Sequence, residues 1–428
     1  MEFIYFLIGL FILVIIQVIP PIKDRLLIQV LVAVPLINAI ADVTTNYISD
    51  EYFTIGAFRA IFCLFLIILL SGNLIFKGTT FFIYLFLFYL LFLIPISSNS
   101  SHSFNEYLKV AISLLMFPLG YYLLSNKNLI RRLNTFLLLG VGAIIIQIVI
   151  SQIFKLGVSE YLEDSLYLGG GLVQVTYTLA LFVILSPIMI PLSRSKNEKY
   201  LYLVFILLSI VITLITLRRI SIIAIVVGFL VYMFLSKSKL NVLKYGLLTI
   251  LFVAITYPLY GNLFESRVQA RKETLPELAK ESRILETIFV LKKMNENSAS
   301  QNLFGTDLFS SHTTFKNNRD YFFILGRGRQ LHIDYNIILH GAGILGMGLY
   351  LLVYLNLFIE GLIKRNNFSK FHCEMKAVFW SIYTVSLIMS FSGSLSSIGF
   401  RSIAFLYMGS ILGTLNHYNY ENSDSVQS

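Results

Sequence analysis

The chain has 428 residues, of which 57% are hydrophobic and 13% charged, and its formal net charge is +10. This composition excludes a soluble domain, because the apolar residues form continuous runs of about 17 to 22, the length of helix that crosses a bilayer. Continuous runs also exclude a membrane β-barrel, whose strands alternate apolar and polar residues. We predict an all-α, polytopic helical bundle with about 12 to 13 transmembrane helices and one large, partly helical external loop.

The apolar runs predict spans along almost the whole chain. These spans are 3–19, 26–43, 53–70, 79–96, 105–124, 135–154, 172–192, 200–216, 220–236, 245–260, 337–360, 375–391 and 401–416. The predicted regions are an N-terminal transmembrane bundle at 1–260, the external loop at 261–336, C-terminal transmembrane helices at 337–416 and a cytoplasmic tail at 417–428.

Short loops between the spans alternate in charge, and the basic ones mark the cytoplasmic side. The basic loops contain Lys23 and Arg25, Lys77, Lys127 with Arg131 and Arg132, Arg194 with Lys196 and Lys199, Lys237 with Lys239 and Lys244, and Lys364 with Arg365 and Lys370. The intervening loops are acidic or rich in serine, so we expect them and the 261–336 loop outside. The positive net charge then follows from topology and does not indicate nucleic-acid binding.

Several arginines are predicted on the outer side, where this topology does not require them. Arg218 and Arg219 occupy a tight external turn, Arg59 lies within the third span, and Arg401 opens the last span. A charge at a helix centre costs about 2.5–3.5 kcal/mol unless it is paired or faces a polar cavity. Snorkelling to the interface is an alternative for Arg59 and Arg401. The adjacent pair instead indicates an anionic ligand, because planar guanidinium groups suit phosphate oxygens.

The external loop is predicted to contain a helix that carries Arg283. Thr274–Glu277 indicates a capping box with proline in the first turn. A rough apolar stripe follows, formed by Leu278, Leu285, Ile288, Phe289 and Leu291. A helix that lies on the membrane surface would also explain these charges.

Beyond this helix, residues 302–309 are predicted to form a turn, and Gly326–Arg329 a flexible basic segment. The chain re-enters the membrane at His332, close to Asp334. An imidazole at this interface is able to accept a proton at neutral pH. A solvated histidine without a role is the alternative.

These motifs, in this order, resemble those of the bacterial O-antigen polymerase and O-antigen ligase superfamily. Thr216–Arg219 is similar to the family's Thr-x-Ser-Arg hairpin, with Arg218 where serine is usual. Ser282–Leu285 resembles its loop-helix arginine motif, and Leu303–Gly305 resembles its Phe-Gly turn.

The last motif pairs His332 with the helix that contains Gly343–Gly346, and it resembles the family's His-Asn motif and Gly-Ile-Leu-Gly helix. Ile333 follows the histidine where asparagine is common, and an asparagine stands at Asn336 instead. The orienting partner of His332 is therefore an open question. The resemblance covers residues 200–360, whereas the first 200 residues match only in being membrane helices.

The resemblance implies an inner-membrane glycosyltransferase that polymerises undecaprenyl-diphosphate-linked repeat units outside the cytoplasmic membrane, with inversion and without a metal or cofactor. Arg219 and Arg283 would stabilise the diphosphate leaving group, and His332 would position or deprotonate the attacking hydroxyl. Further contacts to the diphosphate or glycan are expected from Arg218, Arg59, Arg327, Arg329, Arg401 and Asp334. Expected partners are the lipid-linked glycan, the bilayer, a flippase and a chain-length regulator.

Three alternatives remain open. A ligase of the same superfamily would use the same donor with another acceptor, and we favour the polymerase because polymerases are more numerous and diverse. A lipid-linked oligosaccharide flippase or other transporter would show internal pseudo-repeats and short loops on both sides. A non-catalytic partner in envelope assembly is the third.

Overall fold

The computed structural model describes residues 20–44, 77–154, 158–159, 167–168, 172–216, 218–237, 282–311, 331–362, 369–393 and 397–427, with isolated positions at 62, 65–66, within 246–269 and at 395. The helices are α1 (Pro20–Thr44), α2 (Gly78–Leu93), α3 (Ser100–Leu123), α4 (Lys127–Ile153), α5 (Leu172–Leu192), α6 (Lys196–Ile215), α7 (Arg219–Leu235), α8 (Ser282–Glu296), α9 (Ala299–Phe304), α10 (Asp334–Gly361), α11 (Lys370–Met389) and α12 (Ile398–Gln427). The 3₁₀ turns Ile94–Ile96 and Ser390–Ser392 extend α2 and α11, and β1 (Val158–Ser159) pairs antiparallel with β2 (Tyr167–Leu168).

Within these residues, seven helical stretches are long and apolar enough to cross a membrane, which indicates a membrane protein. They are Gly78–Ile96, Lys127–Ser151, Val175–Leu192, Lys196–Ile215, Asp334–Gly361, Lys370–Ser392 and Ile398–Asn416. Each predicted span within the described ranges coincides with a helix, so those helices are confirmed. The predicted span 3–19 lies outside the described residues, as do most positions of 53–70 and 245–260.

Helix α12 lies at the centre of the bundle. In its apolar stretch 94% of the residues are buried, compared with 28% for the peripheral α6. It packs along α3, where a Cβ at Gly120 or Gly409 would overlap the backbone of the other helix. Small residues allow this approach, which is how helices gain contact when lipid provides no hydrophobic drive between them.

At one end of the bundle lie described helix ends that border predicted cytoplasmic loops. The Thr79 backbone N–H donates to Glu360 at 2.8 Å, which joins the start of α2 to the end of α10. The Tyr232 and Ser236 hydroxyls donate to Glu374 at 2.5 and 2.6 Å, which joins α7 to α11. We call this the basic end.

At the opposite end lie described helix ends that border predicted external segments, and we call it the loop end. There the Ser221 hydroxyl at the start of α7 donates to Thr176 of α5 at 3.4 Å. The neighbouring Tyr177 hydroxyl donates to Ser392 at 3.2 Å, which connects α5 to the turn before α12. These contacts bring the described ends of α5, α7 and α11 together at the loop end.

Candidate functional site

The predicted arginine turn lies at the loop end. Arg218 is the N-cap residue of α7 and is half-buried, and Arg219 opens the helix with an exposed side chain. The positive end of the α7 dipole adds to both guanidinium charges. The turn therefore presents concentrated positive charge, which favours an anionic ligand.

Arg283 lies on α8, which docks onto α10 through a buried carboxylate. Glu286 is 1% exposed, and its Oε1 atom accepts the backbone N–H groups of His332 and Ile333, both at 2.9 Å. These groups precede α10, where backbone N–H groups lack intrahelical acceptors. Glu286 thus caps α10 from another helix. Arg283 is half-buried and lies one helical turn before Glu286 on α8.

Asn336 strengthens the same contact. Its side-chain amide donates to Glu286 at 3.2 Å and to the Thr287 hydroxyl at 3.0 Å. These bonds hold α8 beside His332. Asn336 therefore supports the histidine indirectly, because it positions the Glu286 carboxylate that accepts the His332 N–H. The displaced asparagine of the sequence motif therefore lies against α8.

His332 is exposed, and its backbone is held from two sides. Glu286 accepts its N–H, and Gly393 packs so closely that a Cβ there would overlap the His332 carbonyl. Gly393 follows Ser392, whose contact with Tyr177 leads through α5 to the start of α7. Contacts therefore connect the arginine turn, His332 and α8, and we call Arg218, Arg219, Arg283 and His332 the arginine–histidine group.

Arg401 and Asp334 lie buried against each other, at 2% and 0% exposure. Arg401 Nη2 donates to Asp334 Oδ2, to the Tyr350 hydroxyl at 3.0 Å and to the Ser390 hydroxyl at 2.9 Å. Asp334 Oδ1 accepts the Leu395 backbone N–H at 2.7 Å. Buried charges require such pairing, and this pair ties α10 to α12 two residues after His332 in the chain. That the two residues bind a ligand stays a prediction.

A second junction forms where α10 is kinked. Gly343 has non-helical angles, φ 68° and ψ −169°, which break the hydrogen-bond ladder of the helix. The His340 carbonyl accepts from the Thr306 N–H at 2.9 Å, and the Ala342 carbonyl accepts from the Tyr89 hydroxyl at 2.8 Å. Gly305 packs against this kink, since a Cβ there would overlap Gly341.

The turn after α9 is fixed to the end of α2. Asp307 is buried and accepts from the Ser97 hydroxyl at 2.8 Å, the Ser98 N–H at 3.1 Å and the Ser98 hydroxyl. The turn predicted at 302–309 is confirmed after Gly305, whereas residues 302–304 still belong to α9. The Phe-Gly and Gly-Ile-Leu-Gly motifs therefore pack directly on each other at the Gly343 kink.

A cavity of about 60 Å³ lies between α3, this turn and α10. Its polar lining comes from Glu106, Asp307, Ser311 and His340. Its size suits one or two water molecules. Side chains from α3, this turn and α10 therefore meet around a small, partly polar space.

The sequence did not indicate that Glu286 is buried, because a single carboxylate on a polar helix is usually exposed to solvent. Within the predicted stripe, Ile288 and Leu291 are each 51% exposed, whereas the buried face of α8 carries Glu286, Phe289 and Val290. The predicted residues Arg59, Arg327 and Arg329 lie outside the described residues, as do the capping box at Thr274–Glu277 and Leu278.

Among the residues that the structure describes, no group of three or more His, Cys, Asp or Glu side chains is arranged to hold a metal ion. Metal independence stays a prediction. No protein-family model matches the chain, and no curated protein matches it. The family resemblance therefore rests on the sequence motifs.

Proposed function

We propose that this protein polymerises polyprenyl-diphosphate-linked oligosaccharide repeat units into a surface polysaccharide such as O-antigen, capsule or exopolysaccharide. The loop end is then the outer face of the cytoplasmic membrane. The observation that supports this proposal is that the elements carrying the arginine–histidine group are connected at one end of an apolar helical bundle, with Arg219 and His332 exposed there. A lipid-linked diphosphate requires an apolar bundle with cationic side chains at one end, because its tail lies in the bilayer and its charge lies at the surface.

In the proposed step, a hydroxyl oxygen of the acceptor sugar attacks the anomeric carbon of the donor sugar. The new C–O bond forms as the bond from that carbon to the diphosphate oxygen breaks, and its electron pair leaves with the diphosphate. The hydroxyl proton passes to the His332 imidazole. Attack from the face opposite the leaving group inverts the configuration of the anomeric carbon.

Arg219 and Arg283 bind the diphosphate in this proposal. The two residues come from different elements, the start of α7 and the docked helix α8, so they are able to approach the phosphates from two directions. Negative charge grows on the diphosphate as it leaves, and guanidinium groups stabilise this charge more than the ground state. Arg218 adds positive charge at the same turn.

His332 combines a fixed backbone with an accessible side chain. Glu286 and Gly393 hold its main chain, whereas its imidazole is exposed. A general base needs this combination, because the proton acceptor must keep its position while a mobile acceptor sugar reaches it. The buried Arg401–Asp334 pair ties α10 to α12 next to this segment, and Arg219 and Arg283 bind the diphosphate.

The test uses the purified protein in lipid vesicles with an undecaprenyl-diphosphate-linked repeat unit and EDTA, with products separated on a gel. We expect a ladder that disappears in Arg283→Ala and persists in Lys292→Ala, an exposed cation on the same helix. Transfer that requires a separate added acceptor would indicate a ligase. The absence of transfer under both conditions would contradict the proposal and favour a carrier.

A further inference from the structure

Two large apolar side chains are exposed on a segment whose sequence predicts an aqueous loop. Leu303 is 44% exposed and Phe304 is 47% exposed, at the end of α9. We call these two residues the α9 tip. Residues 297–306, which include the tip, contain no Asp, Glu, Lys or Arg.

The depth of the tip follows from its contact with α2. The Tyr89 hydroxyl donates to the Phe304 carbonyl at 3.3 Å as well as to Ala342. Tyr89 lies seven residues before Ile96, where the candidate span Gly78–Ile96 ends. At about 1.5 Å per residue, its backbone is about 10 Å inside the end of that span.

The kink in α10 gives a second measure of depth. Leu303 contacts Gly343, nine residues after α10 begins at Asp334, which is about 13 Å along the helix. The carbonyls of His340 and Ala342 accept hydrogen bonds from Thr306 and Tyr89. Broken helices within a bilayer need such replacements, because water is absent there.

The helices that contact the tip also expose large apolar side chains near it in the chain. On α2, Phe88 and Phe92 lie close to Tyr89 in the chain and are each 69% exposed, and Ile344 next to the kink is 53% exposed. Side chains at these positions face lipid when the helices cross a membrane. We propose that the α9 tip is inserted among the lipid acyl chains of the leaflet at the loop end, as a re-entrant anchor for the segment that carries α8 and α9.

This anchor would fix α8, and with it Arg283, at the level of the lipid headgroups. It rests on the spans crossing a membrane and does not depend on glycosyl transfer. Lipid is the partner favoured for the α9 tip, because α2, which contacts the tip, also exposes apolar side chains. The alternative is that a protein segment covers the tip.

The test places a fluorescent reporter at the tip of the full-length protein. Trp380 is the one tryptophan of the sequence, so Trp380→Phe supplies a background to which Phe304→Trp is added. The protein is reconstituted in phosphatidylcholine vesicles that contain a lipid with a doxyl quencher on the acyl chain, and iodide is the aqueous quencher. Ser300→Trp, one turn earlier and exposed, is the matched control.

We expect the acyl-chain doxyl lipid to quench the Phe304→Trp variant several-fold more than the Ser300→Trp control, and iodide to quench the control more. Equal iodide quenching of both variants would place the tip in water and overturn the proposal. Protection of the reporter at the tip from both quenchers would show that protein covers the tip and would overturn it equally. Leu303→Trp repeats the measurement at the adjacent position if Phe304→Trp does not fold.

Discussion

Arg401 and Arg219 are the same residue type at the same end of the bundle, and their surroundings are opposite. Arg401 is 2% exposed and bonded to Asp334, Tyr350 and Ser390, whereas Arg219 is exposed at the first residue of α7. The first guanidinium has an internal counter-ion and the second faces outward. Whether an arginine at the loop end serves folding or faces outward therefore depends on its counter-ion, which its position in the sequence does not reveal.

The largest expected effect is on folding, from Arg401→Ala. Removal of one member of a buried ion pair leaves the other charge uncompensated, at a cost of about 3–5 kcal/mol. Arg219→Ala should change the free energy of unfolding by less than about 0.5 kcal/mol, because its side chain is exposed. Thermal unfolding of both variants in the same detergent measures the difference. Equal unfolding temperatures would show that the ion pair does not stabilise the fold. An unfolding temperature that recovers in Asp334→Leu/Arg401→Met would support the cost of the uncompensated charge.

The next effect is on turnover, and here Arg219, whose loss should hardly affect stability, is expected to matter strongly. Arg219→Ala and Arg283→Ala should each lower the polymerisation rate by about 10²–10³-fold, the range for loss of one group that stabilises transition-state charge. Unfolding temperatures should stay at the wild-type value. Arg219→Lys should recover part of the rate, because lysine keeps the charge and loses the bidentate geometry. A rate within two-fold of wild type, or about 0.4 kcal/mol, would remove that arginine from the proposed site.

Gly343→Ala tests the kink on which the α9 segment rests. The substitution imposes a strained φ of 68° and pushes a Cβ into the Leu303 backbone, so we expect a loss of about 1–3 kcal/mol. Gly348→Ala is the matched control in the same helix, because a Cβ there meets nothing within 4 Å. This control should be neutral or slightly stabilising. Unfolding temperatures that coincide for the two variants would contradict the described junction.

A similar effect is expected from Glu286, and its size depends on the substitution. Glu286→Ala leaves the N–H groups of His332 and Ile333 without their acceptor, at a cost of about 1–3 kcal/mol. Glu286→Gln keeps an oxygen in place and should retain most of the stability and the rate. The proposed role of His332 predicts that Glu286→Ala lowers kcat more than it raises KM. A rise in KM alone would indicate donor binding instead.

Apolar runs predicted the helices within the described ranges because the signal for a span is local and continuous. The Phe-Gly and Gly-Ile-Leu-Gly segments were noticed in the sequence, but their contact was not, since it depends on a backbone angle at Gly343. The partner of Arg401 lies 67 residues away in the chain, and no periodicity connects it to Asp334. Glu286 was missed for the same reason, because the N–H groups that donate to it lie 46 and 47 residues away.

The binding of the diphosphate by Arg219 and Arg283 is tested most directly by ligand affinity. Wild type, Arg219→Ala, Arg283→Ala and Lys292→Ala would be placed in lipid nanodiscs and titrated with undecaprenyl diphosphate in EDTA. We predict that both arginine variants bind at least ten-fold more weakly, about 1.4 kcal/mol, and that Lys292→Ala binds like wild type. Equal affinity in all four proteins would contradict the assignment of the diphosphate to Arg219 and Arg283.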